Sequence, residues 1–143
     1  MKTLAENQRA KFDYDIKEAL VAGLVLSGPE VKSAKQGNMS LAGAYVTVSS
    51  AGARLINCHI GPYKYAANKK YDPTQTRALL LNRGEISRLL GKEKSLVLVP
   101  LEIFATSKGW LKLKIGLGKA RKKADKREYI KKREVKKEIR ESI

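Results

Sequence analysis

The stretch Leu96-Val97-Leu98-Val99-Pro100-Leu101-Glu102-Ile103-Phe104-Ala105-Thr106-Ser107-Lys108-Gly109-Trp110-Leu111-Lys112-Leu113-Lys114-Ile115-Gly116-Leu117 decides the fold class. It is dense in aliphatic and β-branched residues and punctuated by Pro100 and by Ser107-Lys108-Gly109, which are turn residues. It therefore predicts strands over Leu96–Pro100, Leu101–Thr106 and Trp110–Leu117, the last two joined by the Ser-Lys-Gly turn.

Toward the N-terminus the same signals recur. Phe12, Tyr14 and Ile16 alternate with Asp13, Asp15 and Lys17, the period of a half-buried strand. Leu20–Leu26, bent near Ala22-Gly23, reads as the returning arm of a hairpin. Ser27-Gly28-Pro29-Glu30 then spells a helix start, with Ser27 and Glu30 forming a capping box, Pro29 in the first turn and Gly37 as the stop. Ala44–Val48, a Ser-Ser-Ala-Gly turn and Arg54–Ile60 predict a second hairpin. Asn82-Arg83-Gly84-Glu85 opens another capped helix, with Ile86, Leu89 and Leu90 on one face and Gly91 as its end. About six short strands and two short helices in one small chain favour a closed or nearly closed barrel, which leaves no long edges. No internal repeat is visible, and 143 residues suffice for a single core.

Charge divides the chain in two. Residues 119–143 carry twelve Lys/Arg against five Asp/Glu, with no Gly or Pro. Residues 1–118 carry eighteen against nine, and the whole reaches +16 with a pI near 10.0. The expected organisation is thus a β-barrel body over 1–118 and a basic C-terminal tail over 119–143, disordered when free. Val135, Ile139 and Ile143 form one thin apolar seam, too little to hold an isolated helix in water. Such a balance calls for a polyanion, with nucleic acid ahead of an acidic membrane surface. No apolar run reaches 18 residues, Met1–Asn7 has no signal-peptide pattern and Cys58 is alone, so a cytoplasmic setting without disulfides is expected.

Catalytic constellations are missing from the sequence. His59 is the one histidine, and its neighbour Cys58 points to the opposite face of a strand, so the two do not form a dyad. Gly116-Leu117-Gly118-Lys119 resembles a phosphate loop only superficially, since Ala120 stands where Ser or Thr is needed. No metal, cofactor or catalytic residue is expected. The polar loop 61–76 interleaves Tyr63, Tyr65 and Tyr71 with Lys64, Lys69 and Lys70. That arrangement suits two roles: stacking unpaired bases while neutralising phosphates, or covering the end of the barrel.

Four stretches in order carry a family resemblance: Asn7-Gln8-Arg9-Ala10-Lys11 followed by Phe12-Asp13-Tyr14; Gly28-Pro29-Glu30-Val31-Lys32-Ser33; Asp72-Pro73 with Arg77 leading into Leu79-Leu80-Leu81-Asn82; and Asp125-Lys126-Arg127. In these the chain closely resembles the SsrA-binding protein (SmpB) family, over nearly its whole length. The resemblance implies an oligonucleotide-binding-fold (OB-fold)-like barrel with flanking helices. It also implies a non-enzymatic, monomeric adaptor, unattached to membranes, for the tRNA-like domain of transfer-messenger RNA. Such an adaptor serves the rescue of stalled ribosomes, called trans-translation, standing in for the missing anticodon arm. Arg9, Lys11, Tyr14, Glu30, Lys32, Ser33, Leu80 and Asn82 would face RNA. Asp125, Lys126, Arg127, Lys131, Lys132 and Arg133 would belong to a tail that enters the empty mRNA channel and decoding centre of the small subunit as a helix. The chain departs from the family at Val21, where many members are acidic, and at Ala120 and Ala124. Two rivals remain on the residues alone: a structural ribosomal protein, which explains charge and tail but not the ordered motifs, and an RNA-processing enzyme.

Overall fold

A computed structural model describes residues 2–65 and 70–122 of the chain. The elements are β1 (Lys2–Glu6), α1 (Ala10–Asp13), β2 (Tyr14–Leu24), α2 (Gly28–Lys35), β3 (Met39–Ser40), β4 (Tyr45–Ser49), β5 (Gly52–Ile56), β6 (His59–Ile60), β7 (Arg77–Leu80), α3 (Arg83–Leu90), β8 (Val97–Ala105) and β9 (Leu111–Ala120). The protein is mainly β. Seven strands form one antiparallel sheet in the order β1-β8-β9-β2-β7-β5-β4, and β3 pairs with β6 in a second, two-stranded sheet.

The large sheet does not close into the expected barrel among the described residues, because β1 and β4 remain its two edges. It curls through bulges instead. β9 supplies the inner wall, with Leu111, Leu113, Ile115 and Leu117 all buried while Lys112 and Lys114 point outward half-exposed. Leu55, Ile60 and Ile103 complete a core that takes residues from both sheets.

Three local expectations give way. β8 is one strand rather than two: Pro100, which lacks an N–H, sits at the register shift between Pro100 and Glu102, where a missing donor interrupts least. The shift frees carbonyls that Asn7 uses, its backbone N–H reaching Leu101 O at 2.8 Å and its Nδ2 reaching Pro100 O at 2.9 Å. β2 is likewise a single eleven-residue strand, not a hairpin. The supposed bend at Gly23 is the point where it changes partner, Gly23 facing Lys112 of β9 on one side and Leu80 of β7 on the other. Phe12 and Asp13, read as strand, close the short helix α1. The helices α2 and α3 stand where expected, although Leu90 is exposed rather than packed. The β4–β5 hairpin forms but with a shorter returning arm: Asn57, at φ 62°, ends β5 at Ile56, and His59–Ile60 pair with β3 in the second sheet instead.

The glycines that mimicked a phosphate loop are packing residues. A Cβ on Gly118 would lie 2.7 Å from the backbone oxygen of Asp15, and one on Gly116 would meet Leu101 and Ile16. Two extra side chains would therefore push β2 off β9. The β9 ladder continues to Ala120, two residues past the point where the body ends in the sequence reading, and Arg121 N–H then donates to Asp13 O at 2.8 Å.

Candidate nucleic-acid interface

α2 begins as its sequence requires. Ser27 Oγ accepts from Glu30 N–H, and Glu30 Oε1 accepts from Ser27 N–H at 3.1 Å. The other oxygen of the same carboxylate has separate work. Glu30 Oε2 accepts from Arg77 Nη2 at 2.7 Å, Arg77 Nε at 2.9 Å and Gln75 Nε2 at 3.1 Å, with the Tyr71 hydroxyl at 3.1 Å. Arg77 also donates from Nη2 to Pro73 O at 2.9 Å and from Nη1 to Cys58 O. Both Glu30 and Arg77 are buried. Burial alone pushes the Glu30 carboxyl up, but the Ser27 backbone and the Arg77 and Gln75 side chains outweigh it and hold the carboxyl below its usual range. The Tyr71 hydroxyl is raised, by burial first and then by the Glu30 charge. Cys58 is fully enclosed, and burial pushes its thiol up to about 11.

Glu30 and Ser33, expected to face RNA, have their side chains turned inward and buried in this structure. Ser33 is completely buried and donates from Oγ to Gly61 O at 2.6 Å. Lys32, between them in sequence, is exposed and holds its ammonium 5.5 Å from the centre of the Tyr63 ring. The helix thus has two faces: Ser33 holds Gly61 while Glu30 holds Tyr71, Gln75 and Arg77, and Lys32 reaches Tyr63 on the other side. Tyr71 belongs to the gripped part, half-buried, while Tyr63 and Tyr65 meet edge to face with centroids 5.4 Å apart.

β7 continues from the buried Arg77 to the outer sheet face. Leu80 is 64 % exposed and packs beside the bare backbone of Gly23. Val21, also exposed, lies on the same face of β2 as Gly23, and the exposed Val25 follows the end of the strand. Asn82 caps α3, its Oδ1 accepting from Glu85 N–H at 2.7 Å while Glu85 Oε1 accepts from Asn82 N–H at 3.0 Å. Its amide remains exposed.

Arg9, Lys11 and Tyr14 gather elsewhere. They line a wide groove of about 1280 Å³ with Phe12, Lys114 and Arg121. Arg9 stacks its guanidinium 5.1 Å from the Phe12 ring centre and pairs with Asp13 at 3.6 Å, and Arg121 Nε donates to Lys11 O at 3.1 Å. Tyr14 and Gly23 stand at opposite ends of β2, about 30 Å apart at the rise of an extended strand. The expected residues thus do not share one cluster: Arg9, Lys11 and Tyr14 line the groove, Leu80 and Asn82 lie at the other end of β2, and Lys32 sits on α2 beside Tyr63. Asp125, Lys126, Arg127, Lys131, Lys132 and Arg133 lie outside the described residues. Arg77 lies in one of the family-like stretches, but no local signal in the sequence ties it to Glu30, 47 positions away.

Among the described residues no cluster of His, Cys, Asp or Glu is arranged to hold a metal, and no helix is long and apolar enough to cross a membrane. His59 is exposed and Cys58 buried, with Cys58 in the connection between β5 and β6 rather than within one strand as expected.

Comparison with known proteins places these features in context. The SmpB protein family matches residues 4–143. An SsrA-binding protein of Coprothermobacter proteolyticus is 44 % identical over 143 residues, covering 98 % of this chain and 95 % of the relative. One from Anaeromyxobacter dehalogenans is 45 % identical over 140 residues, covering 96 % and 85 %. Among solved structures, a chain from "tmRNA-SmpB: a journey to the center of the bacterial ribosome" superposes with a TM-score of 0.67 at 36 % identity, covering 87 % of this chain and 92 % of that one.

Proposed function

Because the chain belongs to the SmpB family of SsrA-binding proteins, we propose that it is an RNA-binding adaptor for trans-translation: it binds the tRNA-like domain of transfer-messenger RNA and brings that RNA to stalled ribosomes. The observation that carries the reading is the family match across residues 4–143, which takes in both the folded sheet and the basic segment beyond it.

In this reading the curled sheet over 1–118 is the counterpart of an OB-like barrel and stands in for the anticodon arm. Lys32, Leu80, the Asn82 amide and the Arg9–Lys11–Tyr14 groove meet RNA through phosphates, 2′-hydroxyls and shape. Glu30 and Ser33 serve as positioning residues, holding α2 against the segment beside it. Asp125, Lys126, Arg127, Lys131, Lys132 and Arg133 lead the tail of residues 119–143 into the vacant mRNA channel and decoding centre. Reaction chemistry is left to the ribosome, in the cytoplasm.

The test is direct binding of the protein to a transcribed tRNA-like domain across a salt series. Affinity falls steeply with salt, because several Lys/Arg contacts to phosphate release counterions. A log-log slope near zero sinks the electrostatic basis of the proposal. Transfer-messenger RNA copurifying at moderate salt supports the adaptor, whereas stoichiometric ribosomal RNA in every subunit supports a structural ribosomal protein.

A further inference from the structure

The tyrosine pair beside α2 has a construction that the core does not need. Tyr65 is 74 % exposed, the most exposed large hydrophobic side chain among the described residues. Its ring meets Tyr63 edge to face at 5.4 Å and 69°, and the Lys64 ammonium lies 5.6 Å from its centre. Lys32 does the same at Tyr63, and neither lysine has a carboxylate partner among the described residues.

The backbone leading into the pair is anchored at Gly61. Gly61 N–H donates to Asn38 O at 2.8 Å and Gly61 O accepts from Ser33 Oγ at 2.6 Å. Pro62 then sets φ by its ring, so Tyr63 leaves a point held by two hydrogen bonds and a locked dihedral. On the far side of the same segment Tyr71 and Arg77 are bound to Glu30. An anchored entry of this kind lowers the entropy given up when something stacks on the pair.

We infer that Tyr65, backed by Tyr63 and flanked by Lys32 and Lys64, receives one unpaired base of the partner RNA, an inference that rests on the adaptor reading. The base stacks on the Tyr65 ring, and the two ammonium groups meet the phosphates on either side of it. Cations with no acidic partner favour a polyanion over an acid-poor protein surface. Stacking makes the site tolerant of base identity. Of the two roles open to this loop in the sequence, Tyr71 takes the covering one and Tyr63 and Tyr65 take the stacking one.

Affinity for the transcribed tRNA-like domain is measured for wild type, Tyr65→Leu, Tyr65→Phe, Tyr65→Trp, Lys32→Gln and Lys64→Gln, with melting temperatures on the same samples. Loss of one stacked base weakens binding about tenfold in Tyr65→Leu, with the salt slope and melting temperature unchanged. Phe and Trp stay within about twofold of wild type because they keep a stacking face. Each lysine variant lowers the salt slope by about one. Wild-type affinity in Tyr65→Leu overturns the inference and leaves the adaptor reading standing. Equal weakening in Leu and Phe also overturns it, by pointing to the hydroxyl rather than the ring. Failure of the wild type to bind this RNA removes the adaptor reading, and the inference with it.

Discussion

Arg77 directs two nitrogens, Nη2 at 2.7 Å and Nε at 2.9 Å, onto a single oxygen of Glu30 in a site where both side chains are almost completely buried. Sequence places them 47 residues apart. The pair joins α2 to the first residue of β7. Removing one partner leaves the other charge buried without its counterion, and such losses cost about 3–5 kcal/mol. Arg77→Met and Glu30→Gln are each expected to lower the unfolding free energy by about that amount in urea denaturation. Glu30→Gln is informative because Gln still completes a capping box, so the loss reports the ion pair rather than the helix cap. A loss under about 1 kcal/mol, the value of a cap alone, would show that the pair does not hold the two elements together.

The same carboxyl sets an acid limit. Its folded value lies below the ordinary 4.5, so its stabilising effect is complete above that pH and is lost as pH falls through the lowered folded value. Urea midpoints should stay level from pH 7 down to about 5 as far as this group is concerned, then fall. In Glu30→Gln the part of the acid slope that belongs to this carboxyl disappears.

Cys58 should be chemically silent in the folded protein. Its thiol, pushed up to about 11 and fully enclosed, exposes no thiolate at neutral pH. The expected result is slow reaction with an aromatic disulfide reagent under native conditions and rapid reaction in urea. Because the folded value is raised, the stability linked to it is complete below 9 and declines as pH rises toward 11.

Asn82→Ala separates capping from recognition. Loss of the cap costs about 1 kcal/mol of stability. If the exposed amide also touches RNA, affinity for the tRNA-like domain falls under conditions where the variant is fully folded. Unchanged affinity assigns Asn82 to α3 alone.

Ending the chain after Ala124 retains every element of the sheet and every described cation. RNA affinity should then fall only modestly, whereas peptide tagging on stalled ribosomes should fail. Scrambling residues 128–143 at constant composition keeps the charge and destroys the Val135, Ile139, Ile143 seam, and should likewise bind RNA but tag poorly. Normal tagging by the shortened protein would reduce the basic segment to an appendage.

Which features could be read in advance follows from how far apart their causes lie. The two helices were legible because capping is local, Ser27 with Glu30 and Asn82 with Glu85. The β4–β5 hairpin was legible because its turn residues adjoin its strands. Pro100 and Gly23 misled because each normally ends a strand, and here one sits in a bulge and the other at a change of partner. β7 and the two-residue strands β3 and β6 are too short to show a period, and β1, though as long as β4, has no adjoining turn because its partner is the distant β8. Of the candidate site, the exposed members Lys32, Leu80 and Asn82 follow from motif position. The inward turn of Glu30 and Ser33 does not, because Arg77 and Gly61, which claim them, are 47 and 28 residues away.

The pairing of β2 with β9 also sets a schedule for synthesis. Tyr14 finds its partner only when Ala120 has been made, and Lys2 waits for Ala105. At 5–20 residues per second the N-terminal strands remain without their neighbours for roughly 5–20 s. During that interval the β2 segment lacks its partner, and the charges of Asp15, Lys17 and Glu18 near its start disfavour pairing with other chains.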